Sequence, residues 1–342
     1  RIAGQLISDN HLAQMLEEVL DVSTDLGPSF FEVTIATAFL AFSREPADAC
    51  VVEVGLGGRF DATNVLEPSA VAVSGIAALG LDHERFLLAP EEGVPQPPMA
   101  RIAFEKAGIA KKGVPMVALD QVPEATSQLI IRAESMGTRL SLHGDEWSNK
   151  VVSVGGDPHH IYRDEHGSGN LPMPSLEGAH QLRNAGLAVA MLRHHEDVVV
   201  SCDSMARGIG SARWPGRFQK LAAGPLAGKR KVWIDGGHNP SAGEAMRVFW
   251  KDEKVHVIIG MLENKDPQAI VAPLSDAIES LTIVPVPGHD HHPVGSFGAA
   301  AKPAADLPQA LASLPDDDRP VFITGSLYLI GKALRLNDEL PD

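Results

Sequence analysis

From residue 231 onward the chain alternates between short apolar runs and helix-patterned segments, and this alternation restricts the fold more than any other feature. The runs 231-KVWID-235, 255-VHVIIG-260, 281-LTIVPV-286 and 320-PVFITG-325 are followed by helical patterns that begin at Ser241, Pro267, Ala304 and Leu327. Apolar strands joined by helices pair in parallel and are covered on both faces, so a compact α/β unit is expected here. The same habit appears earlier. The segments 49-ACVVEV-54, 70-AVAVSGI-76 and 114-VPMVAL-119 read as strands, with helices over 99-MARIAFEKAGIAK-111, 122-VPEATSQLIIRAESMG-137 and 179-AHQLRNAGLAVAMLRHH-195. Near the start, Ser8 is a candidate N-cap for a helix striped by Leu12, Met15, Leu16, Val19 and Leu20, and a second helix is expected from Phe30 to Ser43. Residues 143–176 are rich in Gly, Pro, His and Asp and read as a loop or small hairpin, with a strand candidate at 151-VVSV-154. Gly and Pro cluster again in the turn-rich passage 207-RGIGSARWPGR-217, which divides the chain into expected domains of residues 1–210 and 211–342.

A length of 342 residues supplies two cores of ordinary size. The formal net charge of −15 argues against broad binding to nucleic acid or to an anionic membrane, so an anionic substrate would need a local basic pocket. Two cysteines form no spaced framework, no apolar run approaches the ~18 residues of a membrane span, and the cytoplasm is the expected compartment. The chain begins at Arg1 without Met, and its natural beginning is expected to be missing.

Glycine spacing excludes two common nucleotide motifs. Gly55, Gly57 and Gly58 are followed by Phe60 where a dinucleotide fingerprint needs its third glycine, and 224-GPLAGKR-230 has the wrong spacing for a Walker A loop. Glu53 is more informative. A carboxylate among valines on a buried strand costs several kcal/mol unless it is paired, protonated or bound to a cation (roughly,). Two readings stay open: a hydrogen-bonded acid or solvent-reaching strand end, and a metal or catalytic group. Its place at the carboxyl end of an expected parallel strand favours the second, because ligands of open α/β sheets gather at that edge. The strand from residue 70 leads to Asp82 and His83, which face the same expected crevice. A hard cation such as magnesium takes oxygen readily and imidazole more rarely, so Glu53 with His83 is a partial site that phosphate oxygens and water would complete. The cluster 288-GHDHHP-293 lacks the spacing of a defined metal site and reads as solvated loop histidines. The stretch 84-ERFLLAPEEGVPQPPMA-100 reads as a lengthened surface loop.

The motifs 53-EVGLGGRFDATN-64, 81-LDHE-84, 105-EKAGI-109, 178-GAHQLRNA-185, 214-WPGR-217, 235-DGGHNP-240, 260-GMLENKD-266 and 324-TGSLYLIG-331 stand in the order found in folylpolyglutamate synthases and dihydrofolate synthases, members of the Mur ligase superfamily. The chain resembles that family from just after its phosphate-binding glycine loop to near its C-terminus. The resemblance implies an α/β fold of Mur-ligase type, with a mostly parallel-sheet ATPase domain followed by a smaller Rossmann-like domain. It implies an ATP- and Mg2+-dependent amide ligase that adds L-glutamate to dihydropteroate or to a folate tail through an acyl phosphate. The protein would be a cytoplasmic monomer without nucleic-acid or membrane partners. By the same resemblance, Glu53 and His83 are magnesium ligands, and Lys106 is the lysine carbamylated in the superfamily. Asn184 lies near adenine, and Arg217 reaches from the linker toward the phosphates. Asp235 is a ribose ligand, His238 lies by the γ-phosphate and acyl phosphate, and Ser326 and Tyr328 lie on the glutamate or folate side. Gly237 stands where the family usually has alanine. Because the family's glycine loop and its lysine are not seen, the chain is expected to be less stable than a complete enzyme and catalytically poor. Two alternatives remain, a degenerate homologue without ATP hydrolysis and a different Mur-type amino-acid ligase.

Overall fold

The structure, a computed structural model, describes residues 1–2, 4–154 and 156–340. Both N-terminal helices form where their caps predict. Ser8 accepts from the His11 amide at the start of Asp9–Ser23, and Ser29 with Glu32 closes a capping box at the start of Phe30–Arg44.

A three-stranded parallel sheet follows, ordered Ser74–Ile76, Met116–Ala118, Leu140–Leu142. The third strand was not anticipated. Helices Pro98–Ala107 and Pro123–Met136 cover the sheet through a core that includes Ile76, Ala107, Met116, Ala118 and Leu129. Residues 49–54, expected as a buried strand, form no ladder among the described residues: Val51 is 96% exposed and Glu53 is exposed. A strand is defined by the neighbour that takes its N–H and C=O groups, and an apolar run that finds none stays an extended segment.

Residues 143–176 are more regular than their composition suggested. They fold into an antiparallel meander of strands Trp147–Val154, Asp157–Asp164 and Gly167–Leu171. Trp147 stacks on Tyr162, and both share a core with Val117, Leu119, Leu187 and Ala190, so the meander, the parallel sheet and helix Ala179–Arg193 pack together. The passage 207–217 is helical in its first half, inside helix Cys202–Ser211. Met205 and Ile209, one turn apart and buried, anchor that helix against the ~1 kcal/mol that each of its glycines costs.

The alternation after residue 231 folds as read. A six-stranded sheet is ordered Lys302–Pro303, Ile278–Ile283, Val255–Ile259, Val321–Thr324, Val232–Asp235, Gln219–Lys220, parallel except for the last pair. Strand Ile278–Ile283 begins earlier than expected, and the two short edge strands were not expected. Val255–Ile259 and Val321–Thr324 are buried along their whole lengths, with one core on each face of the sheet. No helix among the described residues is long and apolar enough to cross a membrane.

Candidate active site

The glycine loop is built by one acid. Asp61 Oδ2 accepts from the amides of Gly55 and Leu56 at 3.0 and 2.9 Å, while Oδ1 accepts from the amide and hydroxyl of Thr63. The loop then lies directly on helix Pro98–Ala107. The Arg59 amide donates to Glu105 O at 2.8 Å, and Asn64 Nδ2 donates to the carbonyls of Arg59 and Gly108. A Cβ at Gly108 would stand 2.5 Å from Arg59 Cα, which is why the sequence EKAG accompanies GGRFDATN. Glu105, buried, pairs with Arg59 and Arg101, and Glu91 bridges the same two arginines. Residues 84–100 are therefore not a free surface loop: they carry the short helix Glu84–Leu87, the buried Leu87 and this ionic tie. Between loop and tie lies a cavity of about 520 Å³ lined by Phe31, Phe60, Phe86, Arg59, Glu91 and Glu105.

One residue beyond Glu105, Lys106 is half-buried in the last helical turn. Burial lowers its ammonium pKa, against the opposing pull of Asp82 and Asp61, so this lysine is not a solvated surface residue. Asp82, in the loop beyond the carboxyl end of strand Ser74–Ile76, connects the two sheets. Lys265 Nζ donates to its Oδ1 at 2.7 Å and Asn239 Nδ2 to its Oδ2 at 2.9 Å, both from loops beyond carboxyl ends of the six-stranded sheet. Burial alone would raise its pKa, but those two donors, the His83 amide and the Lys265 charge hold the carboxyl far below its ordinary value. Gly80 touches Ser241 at the same junction, where a side chain at position 80 would collide with the serine hydroxyl.

His238 lies against Asp82, with Nε2 4.0 Å from Oδ2. Its Nδ1 is 3.0 Å from Gly236 O, a contact that only a protonated Nδ1 makes as a hydrogen bond, and burial lowers its pKa. Asp235, buried, accepts from the amides of Gly237 and Phe218 at 2.7 and 3.0 Å, and burial raises its pKa. Arg217 is exposed; its charge acts on both Asp235 and His180, and the His180 ring lies 5.8 Å from Phe218. Asn184 is exposed on the same helix as His180 and donates to Gln181. Ser326 is buried and caps helix Leu327–Leu336, whereas Tyr328 is exposed and its ring lies tilted against His289, with centroids 3.8 Å apart. Gly236 packs against Leu327, so the 326–328 loop abuts the 235–238 turn.

The structure thus gathers Asp82, Lys106 and His238 around one crevice, with His83 beside Asp82. His83 sits in the left-handed region (φ 54°), rare for a side chain with a Cβ. Glu53 makes no hydrogen bond or ion pair among the described residues. Sequence reasoning gave no role to Lys265 or Asn239, although both lie in quoted motifs, and it took the 288–293 histidines as solvated. Instead, His292 Nε2 lies 2.6 Å from the carbonyl of Lys265 and braces the loop that carries that lysine.

No family model matches the chain. It is 30% identical to the folylpolyglutamate synthase of Lacticaseibacillus casei over 92% of this chain and 72% of that protein. It is also 30% identical to the dihydrofolate synthase/folylpolyglutamate synthase of Escherichia coli K12 over 99% of this chain and 76% of the relative. An E. coli FolC structure in complex with DHPP and ADP superposes with a TM-score of 0.84 at 28% identity, covering 99% of this chain and 78% of the other. With 30% identity to such enzymes over nearly its whole length and a matching fold, the chain belongs to the folylpolyglutamate synthase/dihydrofolate synthase family of ATP-dependent glutamate ligases.

Proposed function

We propose that the crevice around Asp82, Lys106, His238 and Lys265 is where the carboxylate of a pteroate or folate is activated and joined to glutamate. The observation that carries this reading is the convergence of both sheets' carboxyl-end loops on Asp82. In the reaction, a substrate carboxylate oxygen attacks the γ-phosphorus of ATP and ADP departs. The glutamate amine then adds to the acyl phosphate carbonyl, and phosphate leaves with the C–O bonding pair. Lys265 and Arg217 supply positive charge to oxyanions in a chain whose net charge is −15. With Nδ1–H held by Gly236 O, neutral His238 presents the Nε2 lone pair to accept the proton shed by the amine.

The donor types are those Mg2+ takes: the Glu53 carboxylate is exposed and unengaged among the described residues, and the exposed His83 imidazole lies 4.0 Å from the Asp82 carboxylate, although no contact joins Glu53 to either. When bound, the ion neutralises phosphate charge. Lys106, with its lowered pKa, holds more of the neutral amine that reacts with carbon dioxide, which supports carbamylation there. Asp235 retains acceptor capacity beyond its two amide donors, as a ribose ligand requires, and Asn184 and Arg217 are exposed and free to meet a nucleotide. The three phenylalanines rimming the 520 Å³ cavity suit the flat ring of the pteroyl substrate, and Ser326 and Tyr328 suit the glutamate side. The FolC complex with DHPP and ADP supports these substrate classes. We place the domain boundary at residues 210/211 and infer a monomer without nucleic-acid partners. A reducing compartment, the cytoplasm, accords with the exposed unpaired Cys50 and Cys202.

Radiolabelled glutamate incorporation, with dihydropteroate and tetrahydrofolate offered separately, tests the reading. We expect ATP-dependent incorporation into at least one of them and its loss in His238→Ala. The assay is run on a chain joined to the family's phosphate-binding glycine loop; absence of incorporation with both substrates there, or full activity in the variant, would reject the reading.

A further inference from the structure

A second cluster of metal-ligating side chains lies away from the crevice, at the far end of helix Ala179–Arg193. We propose that Glu165, His166 and His194 form a site for a divalent transition-metal ion of zinc type, which staples the antiparallel meander to that helix. One ligand atom from each residue lies within 4.8 Å of the others, the only such three-residue group among the described residues. Two imidazoles and a carboxylate are the donors that zinc takes, with a water as the fourth ligand.

The independent observation is His194. Its side chain is 1% exposed, and its Nε2 is buried without a hydrogen-bond partner. Native proteins rarely leave such an atom unsatisfied. The Asp164 carboxylate, with Oδ2 3.8 Å away, is too far for a hydrogen bond and is already held by Arg193 at 2.6 and 2.8 Å. The other ring nitrogen, Nδ1, lies 3.2 Å from Ser141 Oγ in the parallel sheet. With Nδ1–H donating to that hydroxyl, Nε2 carries the lone pair a metal needs, the outer contact that usually orients a metal-bound histidine.

The other two ligands come from the turn joining Asp157–Asp164 to Gly167–Leu171, and the His166 and His194 ring centroids lie 5.9 Å apart. Glu165 Oε1 receives Arg139 at 2.6 Å, which leaves its second oxygen for the ion. His194 is also the C-cap of helix Ala179–Arg193, where the helix dipole favours a cation. Along the 15-residue helix this place lies roughly 20 Å from His180 and roughly 15 Å from Asn184, so it is a structural site distinct from the crevice.

The test titrates chelator-treated protein with Co2+ in saturating Mg2+, reading the visible absorption of tetrahedral Co2+ and the melting temperature. We expect one equivalent to bind and to raise the melting temperature. His166→Ala and Glu165→Ala, both at exposed positions that leave the core intact, should weaken that binding at least about tenfold. Ser141→Ala should weaken it less, and His291→Ala, in the other histidine-rich loop, not at all. Equal binding by wild type and His166→Ala, loss of binding in His291→Ala, or no bound Co2+ in the wild type would overturn the proposal.

Discussion

Asp82 is the residue on which both sides of the crevice depend, and its partners define what substitution should do. Lys265→Ala removes the only charged donor within hydrogen-bond distance of that carboxylate among the described residues, leaving Asn239 and the His83 amide. We expect a loss of about 1–2 kcal/mol in stability by denaturant titration and a larger loss in kcat/KM, because the proposed reaction sets this lysine beside the substrate anions. His160, His180, His194 and His238 are all held below the ordinary imidazole pKa by burial. A depressed value means the unfolded chain binds the proton first, so their stabilisation is complete above about pH 6.5 and is lost as the pH falls below it. Unfolding free energy measured across that range should decline on acidification; a flat profile would contradict the burial of these rings. Lys106, His83 and His238 could be singled out because each sits in a motif shared with the family, and the structure brings all three near Asp82. The sequence misled on the burial of Glu53, because an apolar neighbourhood in sequence is not burial in space. It passed over Lys265, whose role exists only once a distant loop is brought to Asp82.

At the scale of elements, the contact between the glycine loop and helix Pro98–Ala107 is the joint that holds Lys106 in place. Gly108→Ala would drive a methyl into the Arg59 backbone, which cannot move without breaking the Arg59 amide bond to Glu105 O. Destabilisation of about 1–3 kcal/mol is expected in chemical denaturation, with kcat falling as Lys106 shifts. The alternating strands after residue 231 were readable because their apolar runs are largely buried, Val255–Ile259 and Val321–Thr324 throughout, and bounded by turn residues. The meander was readable only in part, as a small hairpin with one strand candidate at 151–154, since Gly156 and Gly167 adopt positive φ beside its turns, a local property that composition disguises as loop. The helical half of 207–217 was hidden for the opposite reason, two glycines masking the Met205 and Ile209 stripe.

For the whole molecule, the crevice closes through few contacts: the Lys265 and Asn239 bonds to Asp82, His238 alongside, and Gly80 on Ser241. Electrostatic closure of a partly solvated pair weakens with salt. Small-angle scattering should therefore report a larger radius of gyration at high ionic strength, and in Lys265→Ala even at low salt; identical curves would exclude this pair as the latch.

Gly80 carries a mechanical implication. A bare backbone pressed on a serine hydroxyl is a smooth bearing, able to part and re-seat without any side chain having to disengage. Enlarging it, as in Gly80→Val, would act as a wedge: the jaws would stay ajar, water would reach the activated acyl group, and ATP would be consumed without a peptide-like bond being made.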